Sequence, residues 1–347
     1  MKKKLDIIIG MILLLLCSIL FAAVTGSSTL SMMDSIKIIL SRIPVLGPYI
    51  DLSNIRSTYI QIVWDIRMPR ILMAGLVGCG LSVVGAAFQG IFKNPLADPH
   101  ILGVSSGAAL GATVAMMTGV GLNLFGLGMV GIFAFATSLL TVVCVYRIAC
   151  IGNRLSTVNM ILTGTAFSMM LSALISLLLS LHHENIEKVY LWILGSFSAA
   201  SWNKVIFLCV FVLMGTVCIL FFSKDLDAIA TGYEMAESLG IDTVLVRKLI
   251  IVFASLIVAA CVSVSGIIGF VGLVIPHSIR LISGPQNRRL IPLSGLGGAI
   301  FVIFSDTLAR NLVAPSEIPV GVITALLGSP YFIILLQRSK RKLGSGS

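Results

Sequence analysis

Ten apolar runs of roughly 20 residues follow one another through this chain, over 5–25, 67–90, 101–118, 125–147, 157–181, 204–222, 247–264, 267–283, 292–312 and 319–337. About 20 such residues is what a helix needs to cross the hydrocarbon core of a bilayer. The short stretches between the runs hold nearly all the charge, and none is long enough for a soluble domain. The pattern predicts an all-α integral membrane protein, with ten transmembrane helices in a single domain over residues 1–343. Composition agrees: 11% of the residues are charged and mean hydropathy is +1.07, where an ordinary soluble domain is about 25% charged.

Both ends call for separate treatment. The start, "MKKKLDIIIGMILLLLCSILFAAVTG", has the basic head of a secretory signal, but its apolar run exceeds the roughly 7–15 residues of a signal core and is expected to stay as the first span. The last residues, Gly344-Ser345-Gly346-Ser347, read as an added linker and are set aside. Seven cysteines (Cys17, Cys79, Cys144, Cys150, Cys209, Cys218 and Cys261) lie in or beside apolar runs with no C-x-x-C pair, so they read as small hydrophobes.

Lysine and arginine set the orientation. With ten spans and the N-terminus inside, 16 of the 24 basic residues fall on the cytoplasmic side and 8 outside. Both termini are then cytoplasmic, and the net charge of +10 reflects topology, not a nucleic-acid partner. The outer segment 26–66 contains "SRIPVLGPY", whose prolines oppose continuous helix, and the outer segment 182–203 carries tryptophans suited to the interface. The longest inner connection, 223–246, mixes acids, small residues and two glycines, and reads as short surface helices on which a partner docks. A faint echo links Ser82-Val83-Val84-Gly85 with Ser263-Val264-Ser265-Gly266; the two runs cross in opposite directions, so the echo suggests an inverted repeat.

Few short motifs carry chemistry. No G-x-x-x-x-G-K-[ST] loop occurs, so ATP, if used, is bound by another subunit. Gly103-Val104-Ser105-Ser106-Gly107 matches a hydrolase pattern but opens a small-residue helix, where packing is the better reading. His100, His182, His183 and His277 lack the convergent partners of a metal site, and none is assigned. Asp306 and Arg310 are one turn apart in an apolar run; Asp306 is expected to position Arg310, with proton carriage as the alternative. Arg67 and Arg70 share a helical face, with Pro69 in the first turn where its missing N–H costs nothing. They sit on the side that the positive-inside bias disfavours, which a negatively charged partner would explain.

"RMPRIL", "GLVGCGLSVVGAAFQGIFKNPLADPHILGVSSGA", "WILGSF", "GIIGFVGLVIPHSIRL", "SDTLAR" and "EIPVGVITALLGSPYFIILL" follow in order over about residues 60–338. Together they resemble the FecCD-type permeases, the membrane subunits of ABC importers for iron-siderophores, haem and vitamin B12. The resemblance implies a dimer of permeases, a homodimer on the simplest reading, in the bacterial cytoplasmic membrane. Two ATPase subunits holding ATP and Mg would bind inside, and a substrate-binding protein would dock outside. It assigns Arg67, Arg70 and Arg310 to docking against glutamates of that protein. It assigns 223–246 to ATPase coupling, with Glu234, Ala236, Leu239 and Gly240 matching an E-x-A-x-x-L-G core after Gly232; Tyr233 is this chain's own variation. Gln89 and Asn94 are candidates for the pathway, which the small residues Gly75, Gly78, Gly85 and Gly90 would loosen or line. The chain is expected to hold no cofactor and to catalyse no reaction itself. The alternatives are a proton-coupled secondary transporter using Asp306, or an intramembrane enzyme, against which the lack of a convergent catalytic set counts.

Overall fold

The computed structural model describes residues 2–25, 31–119, 123–124, 126–151 and 154–344. Residues 345–347 of the expected linker and 26–30 of the first outer segment lie outside the described residues. Fifteen α-helices run through the described residues: α1 (Lys2–Val24), α2 (Met32–Ser41), α3 (Ser57–Gln61), α4 (Met68–Ile91), α5 (Val104–Thr118), α6 (Met129–Ala149), α7 (Thr157–Leu181), α8 (Ile186–Ile193), α9 (Trp202–Phe221), α10 (Ser223–Thr231), α11 (Tyr233–Ser238), α12 (Thr243–Ser265), α13 (Val271–Ser283), α14 (Asn287–Asn311) and α15 (Val320–Gly344). Two strand pairs, β1 (Asn123–Leu124) with β2 (Leu127–Gly128) and β3 (Cys150–Ile151) with β4 (Arg154–Leu155), only close the turns at either end of α6.

The all-α expectation is borne out, and ten helices fall on the ten apolar runs. Among the described residues seven are long and apolar enough to cross a membrane, while Val104–Thr118, Val271–Ser283 and Val320–Leu335 are shorter apolar helices.

α4 is the axis of the bundle, with 20 of its 24 residues buried. A helix enclosed on every side needs small residues where others cross it. Gly78 meets the backbone of Gly298 on α14, Gly85 meets Gly272 on α13, and Gly80 meets Ile257 and Cys261 on α12. Gly75, Gly78, Gly85 and Gly90, expected to line or loosen a pathway, each lie against an element of the same chain and set how closely those elements approach. The start of this span is also earlier than residue 67. Helical backbone continues from α3 through a π turn, Ile62–Arg67, in which Met68 N–H reaches Val63 O. Pro69, next in line, donates no N–H, so the wider turn leaves its site free of a broken bond. Trp202 Nε1 donates to Trp64 O at 3.1 Å and the two rings lie 4.8 Å apart, marking this end of the bundle as an aromatic belt.

α5 and α13 have 15 and 13 residues, about 20 Å of helix against a core of about 30 Å. Both begin deep in the bundle. Gly272, in the first turn of α13, lies against Pro99 and the carbonyl of Leu81, near the middle of α4. Gly103, just before α5, faces Thr141 and Ser168 in the middles of α6 and α7. The full spans expected at 101–118 and 267–283 thus give way to re-entrant segments leading into half-length helices. Backbone conformation accounts for the breaks: φ is 73° at Gly103, 71° at Gly266 and 67° at Phe270, and Pro99 opens the 3-10 turn before α5. Non-helical backbone at this depth requires protein partners. His100 supplies one, with Nε2 3.2 Å from Ile268 O and Nδ1 in contact with Ser105 Oγ. If Nε2 carries the proton, the serine hydroxyl donates to Nδ1, so Ser105 serves as a structural donor.

At the Trp202 end, three further breaks bind one another. Ser196 N–H donates to Ser265 O at 2.8 Å, Val320 N–H to Gly195 O at 3.1 Å and Gly321 N–H to Leu194 O at 3.1 Å. The motifs "WILGSF", "GIIGF" and "EIPVGV", far apart in sequence, meet here through main chain. Since overpacking costs about 1–3 kcal/mol or more, Gly85→Val should lower the thermal unfolding midpoint of the detergent-solubilised protein. Gly10→Ala, where nothing lies within 4 Å, should leave it in place; equal midpoints for both variants would contradict the crossing at Gly85.

Candidate functional site

Two sets of residues, one at each end of α4, carry the chemistry. At the Trp64 end, the C-terminus of α1 comes to rest against α4 and α14, with Ala22 and Ala23 fully buried. The last carbonyls of a helix have no partner within it and carry the negative end of its dipole. Arg67 Nη1 donates to Ala23 O at 2.7 Å and Val24 O at 3.3 Å, and Arg310 Nη2 donates to Ala22 O at 3.2 Å. Two of the expected docking arginines therefore cap α1.

Arg70 joins α4 to α14. Its Nε donates to both oxygens of Asp306 at 3.2 and 3.1 Å, and Nη2 to Oδ1 at 2.9 Å. Its Nη1 donates to both oxygens of Glu317, at 3.0 and 2.9 Å. One planar guanidinium thus grips two carboxylates on two edges, the geometry for which arginine is suited and lysine is not. Asp306 is only 2% exposed; the Glu317 side chain is 43% exposed. Asp306 Oδ2 also lies 3.3 Å from Arg310 Nε as an ion pair, although that N–H has no hydrogen-bond acceptor. The expectation that Asp306 positions Arg310 is thus met in part: its hydrogen bonds go to Arg70, 236 positions away in sequence. Glu317 is a member the sequence reading missed. The signal was there, since Glu317 is the one carboxylate between Asp306 and the chain end. Its position is fixed by Ile318 N–H donating back to Ala309 O at 3.1 Å.

At the opposite end, α10 and α11 occupy the segment expected to couple to an ATPase. Gly240, with φ of 80°, follows α11; its N–H bonds to Glu237 O at 2.9 Å and Ile241 N–H bonds to Ala236 O at 3.1 Å. That is a Schellman cap, which needs a left-handed residue and hence favours glycine. Ala236 is fully buried, while Met235 and Leu239 are 58% and 67% exposed and Glu234 is exposed. The E-x-A-x-x-L-G core is therefore a short helix with an inward anchor, an outward apolar pair and a built-in stop. Gly232, at φ 157° and ψ 145°, makes the corner between α10 and α11.

Tyr233 proves to be more than a variation on the pattern. Its hydroxyl donates to Ile91 O at the end of α4 at 2.7 Å, and its ring meets Lys93 Nζ at 3.9 Å and the Arg247 guanidinium at 4.9 Å. Asp227 on α10 accepts from Asn287 N–H and Nδ2, both at 2.8 Å, placing a carboxylate at the N-terminus of α14. Thr243 Oγ1 donates to Glu237 at 2.8 Å, and Asp242 caps α12 through Leu245 N–H at 2.9 Å.

The two pathway candidates lie apart. Gln89 is 2% exposed and its Nε2 donates to Leu273 O at 3.2 Å, tying α4 to the first turn of α13. Asn94 is exposed, and its Oδ1 accepts from Leu96 N–H at 2.9 Å within a turn. Among the described residues no group of three or more His, Cys, Asp or Glu is placed to hold a metal ion.

Comparison with known proteins sets this arrangement in a family. The model of the FecCD transport family matches residues 12–338. The chain belongs to the FecCD transport family. It is an ABC transporter permease and a multi-pass membrane protein. This FecCD permease is 41% identical over 284 residues to an uncharacterized ABC transporter permease, YvrB, of Bacillus subtilis, covering 82% of this chain and 80% of that one. It is 38% identical over 278 residues to the cobalamin import system permease BtuC of Halobacterium salinarum, covering 80% and 73%. It is 38% identical over 284 residues to the molybdate import system permease MolB of Haemophilus influenzae, covering 81% and 82%. Among solved structures it resembles an inward-facing conformation of a metal-chelate type ABC transporter, with a TM-score of 0.82 and 32% identity over 96% of this chain and 99% of the other.

The burial of the arginine cluster has a measurable consequence. Removing one partner of a buried ion pair costs about 3–5 kcal/mol, while replacing the pair by apolar residues is often neutral. Asp306→Ala should therefore lower the thermal unfolding midpoint of the FecCD permease more than the double change Arg70→Met/Asp306→Leu does. A cycle with additive effects would show that the two side chains do not act as a pair.

Proposed function

We propose that this FecCD permease forms the membrane pathway of an importer that carries an iron chelate, haem or a cobalamin-type substrate inward across a bacterial cytoplasmic membrane. The observation that carries the reading is a chain with two differently built ends on one axial helix: an arginine cluster at one, and a capped helix with an exposed apolar pair at the other. Met235 and Leu239, 58% and 67% exposed, suit insertion into a groove of a partner ATPase, which holds ATP and Mg. Gly232, Glu234, Ala236 and Gly240 shape and border that contact. Arg67, Arg70 and Arg310 mark the end where an extracytoplasmic binding protein docks through carboxylates, and charged contacts of this kind govern encounter and orientation. A second permease subunit, most simply another copy, completes the pathway, with Gln89 and Asn94 as residues to test within it. Both termini are cytoplasmic on this reading.

The named relatives include permeases for cobalamin and for molybdate. Substrate choice within the family is therefore broad, and the docked binding protein would make it. The secondary-transporter reading is less well supported, because Asp306 is paired with Arg70 and Arg310.

Uptake of haem, a ferric siderophore, cyanocobalamin and molybdate is the decisive measurement, in cells with the native partners and either an active or a hydrolysis-dead ATPase. Accumulation of one compound only with the active ATPase is expected; accumulation that survives without hydrolysis but collapses with the proton gradient would overturn the reading. Leu239→Arg, on an exposed side chain, should reduce ATP-dependent uptake by about tenfold or more, as loss of a central interface anchor does. The unfolding midpoint of the permease should stay unchanged, and undiminished uptake would remove the coupling assignment.

A further inference from the structure

The proposed docking end has an unexpected electrostatic arrangement. Arg67 and Arg70 are only 6% and 8% exposed, and the side chain of Arg310 only 9%. An incoming carboxylate would find no open guanidinium there. The member of the cluster that reaches solvent is itself an acid, Glu317, whose side chain is 43% exposed.

Three guanidinium groups, Arg67, Arg70 and Arg310, are gathered at this end with two carboxylates, Asp306 and Glu317. Arg310 Nε is buried without a hydrogen-bond acceptor. The two carboxylates are not equivalent. Asp306 lies inside a helix, 2% exposed, and is held from two directions. Glu317 follows α14 in an irregular connection, and its ion pair among the described residues is the bidentate grip on Arg70 Nη1. Half-exposed ion pairs are worth about 0–1 kcal/mol and exchange partners easily, whereas breaking the buried one is costly.

Resting on the docking reading above, we propose that Glu317 is a replaceable carboxylate: it occupies the outer edge of Arg70 until a carboxylate of the binding protein displaces it. Arg70 keeps Asp306 throughout, so α4 and α14 stay joined while the outer N–H groups change partner. The released Glu317 swings into solvent, and the incoming acid takes over the charge that it held beside Arg70 and Arg310. The cluster is thus a site for an acidic side chain, closed by an internal substitute that the partner must outcompete. Free binding proteins with a neutral or basic docking face would gain nothing from the exchange.

The test is docking of the binding protein that restores uptake in the assay above, measured on the intact permease–ATPase complex in nanodiscs from low to high salt. Glu317→Gln should bind it more tightly, by up to about fivefold, the scale of one exposed ion pair, with the gain shrinking at high salt. Asp65→Asn is the control: Asp65 is exposed on the same end, and its neutralisation changes net charge equally without touching Arg70. Affinity unchanged or weakened by Glu317→Gln overturns the proposal, as does an equal gain from Asp65→Asn, which would mean a long-range field in place of displacement. If wild-type docking ignores salt and Arg70→Lys binds as well as wild type, the docking reading itself falls, and the displacement with it.

Discussion

In hydrocarbon a backbone N–H or C=O without a partner costs several kcal/mol, so a membrane chain can break or end a helix only where other protein groups receive its loose ends. That constraint organises this FecCD permease. α1 ends at Val24, and two arginines from other helices take its last carbonyls. α5 and α13 begin inside the bundle, where His100 links the segments that lead into them. The breaks before α15, after α8 and after α12 are paired to one another through three main-chain bonds. These breaks are each held by a named contact, and most of the residues that make those contacts lie in or beside the motifs by which the family is recognised.

The same constraint explains why charged residues sit where an apolar span should begin. An arginine beside a helix C-terminus gains hydrogen bonds and a favourable dipole at once. Arg67 and Arg310 do so for α1, and Arg70 and Asp306 close the seam between α4 and α14. Structural and docking roles need not compete. The inner edge of the cluster holds the helices, and the outer edge, where Glu317 stands, faces the solution.

How much of this could be read from the chain alone follows from the range of each interaction. The ten helices were legible because crossing length is a local property of composition. Half-length α5 and α13 were not, because "ILGVSSGAALGATV" and "GFVGLVIPHSIRL" are as apolar as full spans; their starting depth is set by Gly272 against Leu81 and by His100 against Ile268. Arg67, Arg70 and Arg310 were singled out by motif, and the fold brings them to one end of α4. Their internal partners were hidden, since Arg70 pairs across 236 and 247 positions. Glycines of α4 were ambiguous in sequence, since small size signals either an open lining or a close crossing, and the close crossings at Gly78 and Gly85 needed the fold. Tyr233 was visible as a departure from the pattern, but its contact with Ile91 O needed the fold.

Those partners also bear on how the two ends of the molecule communicate. α4 and α14 run antiparallel and share the close Gly78–Gly298 crossing, so they can shift relative to one another only by giving up packed backbone. At one end they are joined by Arg70 and Asp306. At the other, α10 and α11 hold both, α4 through Tyr233 to Ile91 and α14 through Asp227 to Asn287. Held at both ends and at a close crossing between, α4 and α14 form one rigid element, the kind of body that carries a shear or hinge motion. Such an element would tilt the arginine cluster itself. Any tilt of that element carries Arg70 and Asp306 with it, because each belongs to one of its two helices.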